Sequence, residues 1–382
     1  MVTNMLAKEQ LLERILSLTT DVPWRESIRL SRESVKKISV TTNLKQIKHV
    51  YLTGGGTSLY AAEVGKAYME AIAGVRAEAV PCYWFGHYMP VGVLGQDALL
   101  VGISQTGTAL SVAKSIKVAQ DAGALDIAIS GYTDKPVPVA ARYVVMTDAK
   151  KEGPSVKSIS YVQALIAVYI LAVEIGKANG KLDVQGVTFW ENQLELAIRK
   201  SGELTSLVNQ VYGLAELYKK APIHHVLATG PNVGTVEEGA LKIIEMAWVP
   251  AEGRELEDFL HGRFRIVDET TPLLLLAPKG ETKSKLLDAL GAAKHINAPT
   301  IVFTNDDDSL IAKMAKHVVK MPDEIDEYLT PMFYITPLWM YAHRLGILRG
   351  TDPAGNRHGF VPTAYDYTQH FDNEGNLIKS VI

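Results

Sequence analysis

Two stretches of the chain, VYLTGGGTSLYAAEVGKAYMEAI (residues 50–72) and HVLATGPNVGTVEEGALKIIEMA (residues 225–247), share one order: an apolar run, a glycine-containing loop, then a helix with small residues in its first turns. A strand that ends in a glycine turn and a helix start is the building unit of an α/β sheet, and two of them suggest an internal repeat. The 382 residues, 47% of them hydrophobic, are enough for two domains of ordinary size. In the first half, apolar runs at 49–53, 77–81, 98–104, 126–130 and 143–147 alternate with helical patterns at 59–73, 109–122 and 157–175, which predicts parallel strands. A helical stretch over 188–219 connects to a second series, with strands at 225–229, 273–277, 300–304 and 317–321 and helices ending near Trp248 and over 283–295 and 331–348. The tail after Gly350 is rich in Gly, Pro, Asn, Asp and aromatic residues and reads as an irregular segment lying over a surface or a site.

The glycine loop Gly54-Gly55-Gly56-Thr57-Ser58 offers backbone N–H groups at a helix start, which suits an anion, although a tight packing turn accounts for such a loop equally well. It lacks both the dinucleotide fingerprint and the Gly-Lys-Ser/Thr end of a nucleotide-binding P-loop. A second loop, in LLVGISQTGTALSVAK, puts Ser104, Gln105, Thr106, Gly107 and Thr108 at the end of a strongly apolar strand. Hydroxyls and N–H groups converge there without lysine or arginine, a neutral cage suited to a phosphate monoester. Ligands of open parallel sheets sit at strand C-terminal ends where strand order reverses, so the two loops are expected to line one crevice.

The second half carries EEGALKIIEMAWVPAEGRELEDFLHGR (residues 237–263), in which Lys242 and Glu245 lie three apart on one helix face and His261-Gly262 follows sixteen residues after Glu245. Most Lys-x-x-Glu pairs are solvated ion pairs, but the apolar neighbours Ile243, Ile244, Met246 and Trp248 place this one on a helix with a buried side. An ammonium beside a carboxylate tunes a proton-transfer group, and a histidine suits proton exchange with hydroxyls.

These residues resemble the sugar isomerase (SIS) domain family, in particular the isomerase half of glutamine–fructose-6-phosphate amidotransferase and its stand-alone relatives. GGGTS resembles the family's Gly-Thr-Ser loop, SQTGT its Ser-Gln-Ser-Gly-Glu-Thr phosphate loop, and EGPSVKS (residues 152–158) a third loop whose serine, here Ser155, touches the sugar. The phosphate loop departs from the pattern in having Thr108-Ala109 where the family has Glu-Thr, with Thr108 or Ser111 the candidates to supply the missing hydroxyl. The resemblance covers residues 40–352 and implies an α/β fold of two tandem SIS domains, each a flavodoxin-like parallel sheet flanked by helices. The expected organisation is a helical segment over 1–36, a first SIS domain over 37–187, a connecting helix over 188–219, a second SIS domain over 220–350 and a tail over 351–382 that covers the active site.

Carried over residue by residue, the resemblance implies phosphate and sugar binding by Gly56, Thr57, Ser58, Ser104, Gln105, Thr106, Thr108 and Ser155. Glu245 matches the base that moves a proton between C1 and C2 of the open-chain sugar, His261 the group that opens the ring, and Lys242 the lysine that stabilises developing charge. Glu252 matches a glutamate near the dimer contact. The family's histidine is lent by the neighbouring subunit, so a homodimer with shared active sites is implied. NLIKSVI at the extreme end resembles the family's Asn-Leu-Ala-Lys-Ser tail after an apparent insertion, which makes Lys379 a candidate imine-former and leaves Arg357 or His358 as the alternatives.

Composition removes competing classes. A formal net charge of −3 supplies no field for a nucleic-acid backbone, and the single cysteine, Cys82, excludes an intramolecular disulfide framework and a multi-cysteine zinc site. No cofactor and no metal are expected. Apolar runs such as Pro272 to Pro278 fall far short of the roughly 20 residues a bilayer requires, and the charged, amphipathic start does not read as a signal peptide, so a cytoplasmic location away from membranes is expected. No glutaminase portion with its cysteine nucleophile is present in the sequence, so the expected protein is a stand-alone enzyme acting on a ketose or amino-sugar 6-phosphate. Deamination, isomerisation or deglycation through an enolamine or enediol is the leading reading, deamination or deglycation being preferred. The alternatives are a plain aldose/ketose phosphate isomerase and a non-catalytic sugar-phosphate sensor.

Overall fold

A computed structural model describes residues 2–148, 152 and 156–357. The chain divides into two units, one of residues 23–187 with 354–357, the other of residues 2–22 and 188–353. In the first unit five strands, β1 (His49–Gly54), β2 (Arg76–Pro81), β3 (Ala98–Ile103), β4 (Leu125–Ser130) and β5 (Tyr143–Met146), form one sheet in the order β2-β1-β3-β4-β5. In the second, β6 (His224–Ala228), β7 (Ala251–Glu255), β8 (Leu273–Leu276), β9 (Thr300–Thr304) and β10 (His317–Lys320) run in the order β7-β6-β8-β9-β10. Every pairing is parallel. Numbered within each unit, both sheets read 2-1-3-4-5, the flavodoxin-like order, so the repeat seen in the sequence is a repeat of topology.

The central strands are apolar on both faces, as sheets covered by helices on each side require. β3 (ALLVGI) and β8 (LLLL) are buried at every position. One face of the first sheet packs Leu100, Val112, Ile116 and Phe85 into a core, and the second sheet does the same with Leu227, Leu275, Leu290 and Phe259. Each such side chain removed from water contributes about 1.5–3 kcal/mol, set against the entropy of ordering the chain.

At four places the structure refines or corrects what the sequence implies. The N-terminal segment is two helices, Val2–Ser17 and Val22–Thr41, separated by a short turn, and the first is grouped with the second unit. The connecting stretch is interrupted: Val184–Ser201 gives way to a 3₁₀ turn, Gly202–Leu207, before Val208–Leu217 resumes, because Gly202 weakens the helix and the tighter turn buries Leu204 and Leu207. Third, Ile159–Asn179 is long and apolar enough to cross a membrane by length and composition, contrary to the reading that all apolar runs are far too short. It is buried almost throughout, with Val168 against Gly65 and Tyr169 edge-on to Tyr68 of the helix Thr57–Ala71, so it is a core helix of the first unit.

The fourth correction is β7. Its sequence, AEGRE, has no β-branched residue and two glutamates, so nothing in its composition signals a strand; pairing with β6 along a sheet edge creates it. Gly253 lets this strand press against the helix Val233–Ala247: a Cβ there would lie 2.5 Å from Glu237 N and from Val236 O, and closer still to Glu237 Cα. Backbone cannot yield as a flexible side chain does. Gly253→Ala is therefore expected to destabilise the second unit by at least about 1–3 kcal/mol, read as a lowered denaturation midpoint; an unchanged midpoint would show that the strand can move away from the helix.

Candidate functional site

Strand order in the first unit reverses between β1 and β3, and the two expected loops are those that leave the C-terminal ends of these strands. After β1, Gly56 takes a positive φ (53°) as the residue that opens the helix Thr57–Ala71, a conformation that favours glycine, and no side chain caps that helix start. After β3, the loop is fixed by its backbone: Gly107 N donates to Ser104 O at 3.0 Å, Gly131 N to Gln105 O at 3.1 Å, and Val137 N to Gly107 O at 2.8 Å. Thr106 and Thr108 share a hydroxyl hydrogen bond of 2.8 Å.

Thr57, Ser58 and Gln105 line one small cavity, together with Thr147, Lys157 and Ser160 and an apolar back wall that includes Ile103 and Tyr161. Gly56, Ser104, Thr106 and Thr108 belong to the same two loops but do not line it; Ser104 is buried, its N–H given to Ile129 O at 3.0 Å. Ser155 and Lys379, with His358, lie outside the described residues.

The expected cage without basic residues is corrected by Lys157, which the start of Ile159–Asn179 brings to the cavity wall. Ser160 arrives by the same route, and its hydroxyl is buried with no hydrogen-bond partner among the described residues. Glu152 occupies the helix start itself, accepting from Ser158 Oγ at 3.0 Å and Ser160 N at 2.7 Å. At about 30 Å³ the cavity has room for about one water, so an anion enters only as the lining side chains draw apart.

In the second unit, Glu238, Lys242 and Glu245 follow one another at helical spacing along Val233–Ala247. Lys242 is fully buried, its Nζ 3.2 Å from Glu238 Oε1 and 2.7 Å from Glu245 Oε2. Burial alone would lower the ammonium's pKa; the charges of Glu238 and then Glu245 outweigh it and hold the value above the usual lysine range. Glu238 is as buried as the lysine, whereas the Glu245 side chain is 36% exposed. Lys242 is thus an ammonium locked inside the protein with one carboxylate behind it and one held at the surface.

His261 ends the short helix Leu256–Leu260 and is largely exposed; its Nε2 meets Glu257 Oε1 at 3.0 Å. The described contacts tie Glu245 to Lys242 and His261 to Glu257, and none joins the two within the chain. Glu252, on β7, receives Arg263 Nε at 2.7 Å and Arg254 Nε at 3.1 Å and faces His225 Nδ1 at 3.4 Å. Burial would raise its carboxyl, but these arginine hydrogen bonds prevail and hold it below the usual carboxylate range.

The model of the SIS domain matches residues 43–174 and 217–347, one copy in each half of the repeat. The chain belongs to the SIS domain family. As an SIS-domain protein it is similar to the glutamine–fructose-6-phosphate aminotransferase of Thermococcus kodakarensis, 26% identical over 333 residues that span 86% of this chain and 54% of the relative. The corresponding enzyme of Pseudomonas syringae is 28% identical over 314 residues, 80% of this chain and 50% of the relative. The chain thus spans about half the length of these curated relatives. Among solved structures, the C-terminal domain of glucosamine-fructose-6-phosphate aminotransferase from Francisella tularensis superposes with a TM-score of 0.79 at 19% identity, covering 90% of this chain and 97% of that one. Glucosamine-6-phosphate deaminase from Thermotoga maritima gives a TM-score of 0.68 at 17% identity, covering 91% and 98%. At these identities the structures establish a shared fold.

Proposed function

We propose that this SIS-domain protein is a phosphosugar isomerase-type enzyme that acts on a ketose or amino-sugar 6-phosphate, releasing ammonia or an amine by deamination or deglycation. The observation that carries the reading is the buried Lys242 ammonium holding Glu245 at the protein surface, 2.7 Å away. A carboxylate so placed is held in one orientation, and the fixed positive charge beside it offsets charge that develops as a proton leaves carbon. The similarity to aminotransferase relatives over most of the chain supports the choice of substrate class.

In this reading the first unit supplies the phosphate ligands. Thr57, Ser58, Gln105 and Ser160 donate neutral hydrogen bonds, Lys157 adds a charge-assisted one, and the loops bearing Gly56, Ser104, Thr106, Thr108 and Ser155 shape the cradle. The second unit supplies the proton transfer. With a 2-amino aldose, Glu245 removes the C2 proton to give an enolamine and returns it to C1, leaving an imine at C2. Water then adds to that imine and expels the amine, giving a ketose 6-phosphate. His261, lent by the neighbouring subunit of a homodimer, exchanges protons with the ring oxygen to open the sugar, and Lys379 is the candidate to engage the carbonyl.

The test is amine release by the purified chain from glucosamine 6-phosphate and from a fructosamine 6-phosphate, with fructose 6-phosphate binding followed by calorimetry. Release from either is the expected result. Interconversion of aldose and ketose phosphates without amine release would assign a plain isomerase. Tight binding with no turnover would make the protein a sugar-phosphate sensor.

A further inference from the structure

The first sheet has a second concavity at its other end. Where β1, β2 and β3 begin, a cavity of about 700 Å³ is lined by Lys48, Arg76 and Lys181, with Asp97 the one acidic side chain on its wall and His49 and Tyr51 beside them. β1 runs from His49 at this cavity to Gly54 at the crevice, five steps along the strand, so at about 3.3 Å per residue the two lie about 17 Å apart. No small sugar phosphate bridges that distance.

Three features make this a built site and not a chance dent. Lys48, Arg76 and Lys181 are all exposed, and none is ion-paired with a described residue. Three cations line the cavity against the single carboxylate of Asp97, so the lining is net positive; Glu78 lies outside the lining, its Oε1 3.1 Å from His49 Nε2. Second, the wall is fixed. Lys48 N and His49 N both donate to Asp97 O, and Asn179 ties two segments together by donating to Ala73 O at 2.8 Å and accepting from Lys181 N at 2.9 Å. The stem of Lys181 lies directly over Gly74, where a Cβ would come within 2.9 Å of Lys181 Cγ, so the missing side chain is what lets the ammonium lie at the rim. Third, His49 and Tyr51 stack face to face at 4.3 Å between ring centroids, so the part-exposed His49 ring is held in one orientation on the buried Tyr51 and gives the cavity one aromatic wall.

A concavity of several hundred cubic ångströms with convergent cations and an aromatic wall has the size and chemistry of a small-ligand site. We propose that this cavity binds a second, phosphate-bearing small molecule, a dianion or diphosphate, independently of the crevice at the opposite end of the sheet. Lys48, Arg76 and Lys181 are its anion contacts, and the His49 ring, backed by Tyr51, receives the remainder of the ligand. The assignment stands apart from the reaction proposed above.

Inorganic pyrophosphate titrated calorimetrically into the full chain is the probe. Arg76→Gln combined with Lys181→Gln is expected to weaken pyrophosphate binding by about tenfold or more, as loss of charge-assisted contacts does, while Lys157→Met, at the crevice, leaves it within about twofold. The double variant should retain the parent's thermal midpoint, since Arg76 and Lys181 are exposed. Undiminished binding in the double variant, or binding lost in Lys157→Met alone, would overturn the proposal. Fructose 6-phosphate binding in the same variants shows the opposite dependence if the crevice reading holds, so the two ideas fail separately.

Discussion

Glu245→Gln should lower amine release by a factor of about 10²–10⁴, the range for loss of a positioned general base, while fructose 6-phosphate still binds within a few-fold of the parent. The substitution keeps the size and one acceptor oxygen of the side chain, so Lys242 Nζ can still donate to it as it now does to Glu245 Oε2. Nor does the buried ammonium lose its countercharge. Glu238 Oε1, 3.2 Å away and equally buried, remains. What disappears is the capacity to accept a proton from carbon. The decisive comparison is kcat against calorimetric affinity: full turnover in this variant would remove Glu245 as the base, and a parallel loss of binding would make it a residue that shapes the site.

How far the sequence carries is clearest from particular residues. β1, β3, β6 and β8 were legible because central strands of parallel sheets are continuous apolar runs, and the loops after β1 and β3 because glycine and hydroxyl residues follow such runs directly. The strand order, which makes those two loops neighbours, follows from pairings between residues far apart in the chain, such as Thr53 with Gly102. β7 was illegible for a related reason: AEGRE becomes a strand only because β6 offers an edge. Lys157 and Ser160 reach the cavity because of where the helix Ile159–Asn179 begins, which the residues EGPSVKS do not fix by themselves. Glu238 carried a signal that was readable. It stands four residues before Lys242, one turn back on a helix whose neighbours are apolar, and that spacing turns an apparent surface pair into a buried ion triad.

That burial sets the second large effect. Lys242→Met should destabilise the second unit by about 3–5 kcal/mol, because it removes the ammonium that faces the buried Glu238 carboxylate. Loss of packing is a small part of this, since methionine fills much of the lysine's volume. Adding Glu238→Leu to Lys242→Met should therefore recover most of the loss, as replacing a whole buried pair by apolar side chains often does. In the parent, Lys242 has a folded pKa above its ordinary value, so its contribution is complete below the unfolded lysine pKa and declines only as pH rises through the folded one. The single variant should behave in the opposite sense. With the Lys242 ammonium gone, the buried Glu238 is pushed up by burial and takes a proton in the folded state that the unfolded chain does not hold, so the defect grows as pH rises from about 5 to 8 and shrinks as pH falls. Chemical denaturation of the parent, the single and the double variant across that range separates the accounts. A loss that is independent of pH and not recovered by Glu238→Leu would mean that Lys242 stabilises the helix by packing alone, and the triad would then serve Glu245 without holding the fold.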